Sequence, residues 1–174
     1  MSQVHLHLLI THLPVFGSLL GSLVLVYGLW SKSNQTKTAA YLMFILSGIG
    51  AGIAYLTGEG AEEAVEGIQG VSEQVIKLHE ESAAYALVSL IILGAFSLFV
   101  IFITNKNTAI RKTTALIALF ISLISFGLVA WTGYLGGQVR HTEITNGNMQ
   151  IAAGKPTKRT MTDLPIEHKT KNIY

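Results

Sequence analysis

The 174-residue chain contains no cysteine, and this absence removes several kinds of site at once. Disulfides, thiolate-bound metals, iron–sulfur clusters and covalently attached c-type haem all require cysteine. Only histidine, carboxylate, methionine or tyrosine side chains remain to hold a metal. The cellular compartment therefore has to be inferred from other features of the sequence.

Charged residues are also scarce. They make up 13% of the chain, whereas soluble domains carry about 25%. Half of the residues are hydrophobic, mean hydropathy is +0.49, and no charged residue occurs before Lys32. This composition indicates a membrane protein. The net charge of +2 says little about partners, because the charges are unevenly distributed.

Four apolar runs are long enough to cross a bilayer, which takes about 20 helical residues. None of them has the polar stripe that a helix in a soluble bundle needs. The sequence therefore predicts an all-α integral membrane protein, with a four-helix transmembrane domain over residues 1–141. The predicted spans lie near residues 8–30, 39–56, 83–104 and 113–134.

Two segments outside the spans differ in pattern. The loop from Thr57 to Ser82 has apolar residues at helical spacing among its acidic residues, which predicts short amphipathic helices on the membrane surface. The tail over residues 142–174 is polar, has no hydrophobic period, and contains an Asn-Gly pair and two prolines as turn signals. We expect the tail to be a mostly irregular extramembrane segment.

The distribution of charge predicts the orientation in the membrane. The two short turns, residues 31–37 and 105–112, hold five basic residues and no acidic one. The loop between the second and third spans carries seven of the ten acidic residues. By the positive-inside rule the two turns are cytoplasmic. Both termini and the acidic loop then face the periplasm of a bacterial inner membrane.

Five of the six histidines gather at the periplasmic end of the predicted bundle. They are His5, His7 and His12 at the first helix, His79 before the third, and His141 after the fourth. His5 and His12 are seven residues apart and share one helix face, whereas His7 points elsewhere and is expected at the level of the lipid headgroups. His168 lies far out in the tail, where we expect it to be solvated.

Histidines on different helices of a bundle suit haem ligation, because neutral imidazole is an axial ligand of haem iron. His12 is the deepest, and an ionisable residue inside a span is a functional candidate. We therefore predict a haem b held by His12 and His79. His5 and His141 are candidates for ligating a second haem, with Arg140 as a partner for a propionate. The same four histidines are alternatively the ligands of a smaller metal such as copper, iron or zinc.

A weak internal repeat relates the two halves of the predicted bundle. Helix 2 ends in AYLTGEG and helix 4 ends in AWTGYLGG. A Leu-His pair, Leu6-His7 in one half and Leu78-His79 in the other, stands just before helices 1 and 3. If the repeat is structural, its halves are related by an axis along the membrane normal.

At these residues the chain resembles a bacterial family of small four-helix membrane proteins known mainly as a domain of unknown function. Its members open with a histidine, then have a His-Phe-Pro-like triplet entering helix 1, a histidine before helix 3, and Gly-Gly followed by a histidine. The matching stretches here are His5, THLP, KLHEES and GGQVRH, within residues 4–141. No proline follows His5, and Thr142 replaces the usual glycine. The resemblance implies b-type haem binding and a link to respiratory redox chemistry.

These observations predict a membrane-anchored b-type cytochrome, a redox carrier rather than a stand-alone enzyme. With no histidine near the basic turns, electrons would pass along the periplasmic face from a membrane donor to a periplasmic acceptor. The acidic loop would attract a basic partner such as a small cytochrome c, and a larger respiratory complex is the other expected partner. The alternatives are a non-catalytic accessory subunit of a larger membrane complex and a histidine-based metal-handling protein. Homo-oligomers remain an open alternative, and no motif indicates nucleic-acid binding.

Reporter fusions test the predicted orientation. A reporter that is active only in the cytoplasm is expected to work when fused at Asn34 or Asn107, because both positions lie in the basic turns. A reporter that is active only in the periplasm is expected to fail at the same positions. Periplasmic activity at either one would overturn the orientation.

Overall fold

The computed structural model of the chain describes residues 3–63, 73–106 and 109–140. Within these ranges the chain forms four α-helices, and the predicted all-α four-helix architecture is confirmed. The helices are α1 (Gln3–Trp30), α2 (Asn34–Glu63), α3 (Glu73–Lys106) and α4 (Arg111–Arg140). Each is long and apolar enough to cross a membrane.

Helices α2 and α3 extend well beyond the predicted spans. Helix α2 continues to Glu63 and α3 begins at Glu73, so both described parts of the acidic loop belong to the long helices and not to separate surface helices. These parts contain six glutamates, and glutamate favours helix. Lengthening an existing helix also avoids the cost of a new nucleus. Residues 64–72 and the predicted tail lie outside the described residues.

The four helices form a ring in which α1 contacts α2 and α4, and α3 contacts the same two helices. Helices α1 and α3 are therefore diagonally opposite. Because successive helices alternate in direction, α1 and α3 begin at the end of the bundle where α2 and α4 finish. We call this the histidine end, after His7 and His79. The opposite end, which carries Lys32, Lys37 and Arg111, is the basic end.

The outside of the bundle is apolar and its centre contains small polar residues. Large side chains such as Phe99, Phe102 and Phe120 are exposed on this outer surface. The outer surface is where a membrane protein contacts lipid tails. The interior combines a hydrophobic cluster that includes Leu25 and Phe44 with a set of buried serines. The buried serines are Ser18, Ser22, Ser47, Ser97, Ser122 and Ser125. Small residues at helix interfaces are typical of membrane bundles, because they allow helices to approach closely.

Hydroxyl groups also connect the helices. The Oγ of Ser22 on α1 donates to the Oγ of Ser122 on α4 at 2.9 Å. Such bonds between membrane helices contribute about 0.6 kcal/mol on average. They supplement side-chain packing, which is the main source of association inside a bilayer.

Helices α2 and α3 meet backbone to backbone at two glycines. A Cβ atom on Gly48 would lie 3.0 Å from the carbonyl oxygen of Leu90, and one on Gly94 would lie 3.5 Å from the carbonyl oxygen of Phe44. Gly48 therefore allows α2 and α3 to approach each other more closely than a larger residue at this position would.

The variant Gly48→Leu is expected to destabilise the bundle by about 1–3 kcal/mol, because the new side chain forces α2 and α3 apart. The matched control is Gly127→Leu, since a Cβ atom on Gly127 has nothing within 4 Å. Unfolding in mixed micelles, followed by circular dichroism, measures both variants. Equal stability of the two would contradict the close approach at Gly48.

Candidate functional site

Two histidines at the histidine end each contact a carbonyl group of a neighbouring helix. The Nδ1 atom of His7 lies 2.9 Å from the carbonyl oxygen of Ala54 on α2. The Nδ1 atom of His79 lies 3.0 Å from the carbonyl oxygen of Thr132 on α4. Because a carbonyl oxygen can only accept, Nδ1 carries the hydrogen in both rings. In a neutral imidazole with this tautomer, the lone pair available to a ligand is on Nε2.

A glycine stands one helical turn after each of these carbonyl groups. Gly58 follows Ala54 by four residues, and Gly136 follows Thr132 by the same spacing. A Cβ atom on Gly136 would lie 3.0 Å from Cε1 of His79. One on Gly58 would lie 3.5 Å from Cε1 of the His7 ring. The missing side chains therefore leave room for an imidazole beside a helix backbone.

The two arrangements are counterparts in the halves of the bundle. Each half has a histidine near the start of one helix, a carbonyl acceptor near the end of the next, and a glycine four residues later. The contacts align Gly58 with Gly136, whereas the Thr-Gly match in the sequence aligns Gly58 with Gly133. In the second half, the glycine that contacts the histidine thus lies three residues, about one helical turn, beyond the glycine that the sequence match selects.

His7 and His79 belong to α1 and α3, the diagonal pair, and both lie at the same end of the bundle. Both rings are half-buried. The same end has open space, because a Cβ atom on Gly133 or on Gly137 has nothing within 4 Å. The structure thus places two imidazoles with the same kind of hydrogen bond at one end of the bundle, one in each half.

His12 has a different environment. Its ring is exposed, its Nδ1 donates to the carbonyl oxygen of Leu8 in its own helix at 2.6 Å, and it stacks on Phe16 with ring centroids 6.0 Å apart. None of these contacts reaches another helix. The contacts described for His12 thus stay within α1, and the predicted His12–His79 pair stays a prediction. His7, which the sequence placed at headgroup level, contacts α2 instead.

The spacing of small residues along α1 explains this difference. His7 is separated by multiples of seven from Gly21, against which Phe44 packs, and from Gly28, against which Lys37 packs. Residues seven apart share one face of a helix, so His7 lies on the α1 face that meets α2. His12 is five residues further on and lies about 140° away. The heptad spacing from His7 to the glycines is the sequence signal that could have identified it.

The other predicted site residues are described only in part. His5 is exposed at the start of α1, and Arg140 is the last residue of α4. The side chain of Arg140, together with His141 and His168, lies outside the described residues, so the proposed second pair stays a prediction. Within the described residues, no three His, Cys, Asp or Glu side chains converge in a metal-binding group.

Comparisons of the chain with protein-family models, with curated proteins and with solved structures give no match. The function therefore has to be inferred from the geometry of the paired imidazoles.

The neighbouring variants Gly136→Ala and Gly137→Ala test how His79 is held. In Gly136→Ala the new methyl group is expected to displace the imidazole and weaken its bond to Thr132, whereas Gly137→Ala has open space and is the matched control. Nitrogen NMR of ¹⁵N-histidine-labelled protein measures the effect, through the Nδ1–H and Nε2 signals of His79. An unchanged His79 spectrum in Gly136→Ala would contradict the close contact.

Proposed function

We propose that the chain is a membrane-anchored b-type cytochrome whose haem is ligated by His7 and His79 at the histidine end. The observation that carries the proposal is that the two imidazoles make the same hydrogen bond in the two halves of the bundle. Both belong to diagonal helices, and both donate Nδ1–H to a helix carbonyl group. A metal-bound histidine almost always donates its other ring N–H to such an acceptor, which fixes its tautomer and orientation.

The donor set fits haem b. The Nε2 atoms of His7 and His79, whose Nδ1 atoms are already hydrogen-bonded, would hold the haem iron. The chain has no cysteine, so a haem would be held without the covalent links of c-type cytochromes. A haem bound in this way supplies a one-electron carrier. The b-type haem implied by the family resemblance is the same cofactor.

Each protein group has a distinct part in this proposal. His7 and His79 would bind the iron, and the carbonyl groups of Ala54 and Thr132 would orient the rings and raise the basicity of Nε2. Gly136 leaves space for the His79 ring beside its acceptor. The ligand pair predicted from the sequence is His12 and His79, so the two assignments differ only in the residue on α1. The geometry favours His7, because the His12 contacts stay within α1.

Charge around the site supports a basic redox partner. Glu59, Glu73, Glu80 and Glu81 are exposed near the histidine end, and complementary charge raises the rate at which partners meet. With the basic end in the cytoplasm, a haem held by His7 and His79 would supply its one-electron chemistry at the periplasmic face. We propose a membrane donor and a periplasmic acceptor such as a small cytochrome c or a larger respiratory complex.

Haem content and spectrum test the ligand assignment. The full chain is purified with haem supplied during expression, and haem per protein is measured by pyridine haemochrome for the wild type, His7→Ala, His79→Ala and His12→Ala. The first two variants are expected to lose most of the low-spin α band of the reduced protein, because each lacks one axial bond. His12→Ala is the matched control and is expected to keep the wild-type spectrum.

Each outcome is informative. Haem loss in His12→Ala but not in His7→Ala would restore the His12–His79 pair and reject His7. Full haem in all three variants would reject both assignments. A wild-type protein without haem would overturn the cytochrome proposal and favour an accessory subunit or a metal-handling protein.

A further inference from the structure

Basic side chains converge on one cavity at the basic end, which the proposed haem site does not use. This cavity of about 480 Å³ lies where the end of α1 and the starts of α2 and α4 meet. We call it the basic cavity. Four cationic residues line it: Lys32, Lys37, Arg111 and Lys112.

Lys37 is the most informative of these residues. Only 9% of its surface is exposed, and its side chain packs against α1 where Gly28 leaves room, since a Cβ atom on Gly28 would lie 3.0 Å from Cγ of Lys37. Among the described residues nothing accepts a hydrogen bond from its ammonium group. Lys37 also lines an adjacent cavity of about 400 Å³, together with Arg111. The stem of Lys37 is therefore buried against α1, while the residue lines both cavities, where an anion can meet its charge.

The chain supplies no described carboxylate for this purpose. No acidic residue occurs before Glu59, and none occurs between Ser82 and Thr142. Lys37 and Glu59 lie on the same helix, 22 residues apart, which corresponds to about 33 Å. All the described carboxylates are therefore a membrane thickness away from the basic cavity.

The helix termini add to the positive potential. Lys37 follows the start of α2 by three residues, Arg111 and Lys112 begin α4, and neither helix has an acidic residue in its first turn. A helix N-terminus carries a partial positive charge and favours anions, so cations there are unfavourable unless an anion neutralises them. Arg111 is already oriented, since its Nε and Nη2 both donate to the carbonyl oxygen of Thr104, at 3.2 and 3.0 Å.

The walls of the cavity indicate where the anion comes from. Leu29 and Leu116 line it beside the four cations. Tyr27 and Trp30 form an exposed aromatic pair on the last turn of α1. Tyrosine and tryptophan are enriched at the level of lipid headgroups. An occupant with a phosphate and acyl chains matches both kinds of lining, and basic pockets between membrane helices bind such headgroups.

We propose that the basic cavity is a binding site for an anionic phospholipid, whose phosphate is held by Lys37, Lys32, Arg111 and Lys112 while its acyl chains lie along Leu29 and Leu116. The lipid supplies the counter-charge that the chain lacks at this end. It also joins the ends of three helices through one headgroup.

Lipid binding is measured by native mass spectrometry of the full chain in an uncharged detergent, with dioleoylphosphatidylglycerol as the probe. We expect saturable binding of this lipid and much weaker binding of dioleoylphosphatidylcholine, whose headgroup has no net charge. Lys37→Met keeps the apolar stem and removes the charge, so we expect roughly a fivefold loss of affinity. Lys77→Met, at the other end of the bundle, is the matched control and is expected to bind as the wild type does.

A second variant separates lost binding from lost folding. Lys32 has a φ of 55°, a left-handed conformation that glycine adopts at lower cost. Lys32→Gly is therefore expected to weaken lipid binding while its melting temperature without lipid stays the same or rises. Unchanged affinity in both Lys32→Gly and Lys37→Met would overturn the proposal, as would equal binding of the two lipids.

Inorganic phosphate distinguishes the two sources of the anion. At millimolar concentration it is expected neither to displace the phosphatidylglycerol nor to raise the melting temperature of lipid-free protein, because it cannot use the apolar wall. Displacement by phosphate would show that the basic cavity takes a free anion and would overturn the assignment to lipid. None of these measurements depends on haem.

Discussion

Close contact between helix backbones is the constraint on which the rest of the molecule depends. Inside a bilayer, moving a leucine from lipid to a helix interface gains little, because lipid tails are as apolar as leucine. The helices are held instead by packing across glycine and serine, and the large apolar residues are on the outside. Gly48 and Gly94 serve this purpose between α2 and α3, and Gly21 serves it between α1 and α2.

One face of α1 connects both proposed sites. His7, Gly21 and Gly28 follow one another at multiples of seven and all meet α2. At one end this face brings an imidazole to a carbonyl group, and at the other it admits the side chain of Lys37. A rotation of α1 about its axis would therefore disturb both ends of the bundle together. The two sites are separate in chemistry but depend on the same helix contact.

The sequence predicts the coarse architecture well and the site only in part. The four helices follow from uninterrupted apolar runs, and that prediction is confirmed. Helices α2 and α3 continue beyond the predicted spans, because hydropathy detects the lipid-facing part of a helix and not the polar turns that continue it. The sequence also located the histidine end, but it ranked His12 above His7 by depth. Depth says how far a residue lies along a helix, whereas a ligand pair depends on which face meets a neighbour.

The unequal lengths of the helices have a consequence for how the protein sits in a bilayer. Helix α3 has 34 residues, which corresponds to about 51 Å, while the hydrocarbon core is about 30 Å thick. Lys37 and Arg111 lie near the starts of their helices, so cations that seek headgroups hold the basic end level with one leaflet. Most of the excess length must then project beyond the other leaflet. Hydrophobic mismatch is thus concentrated on one side, and changes in membrane thickness would alter the height of the histidine end above the lipid more than the depth of the basic end.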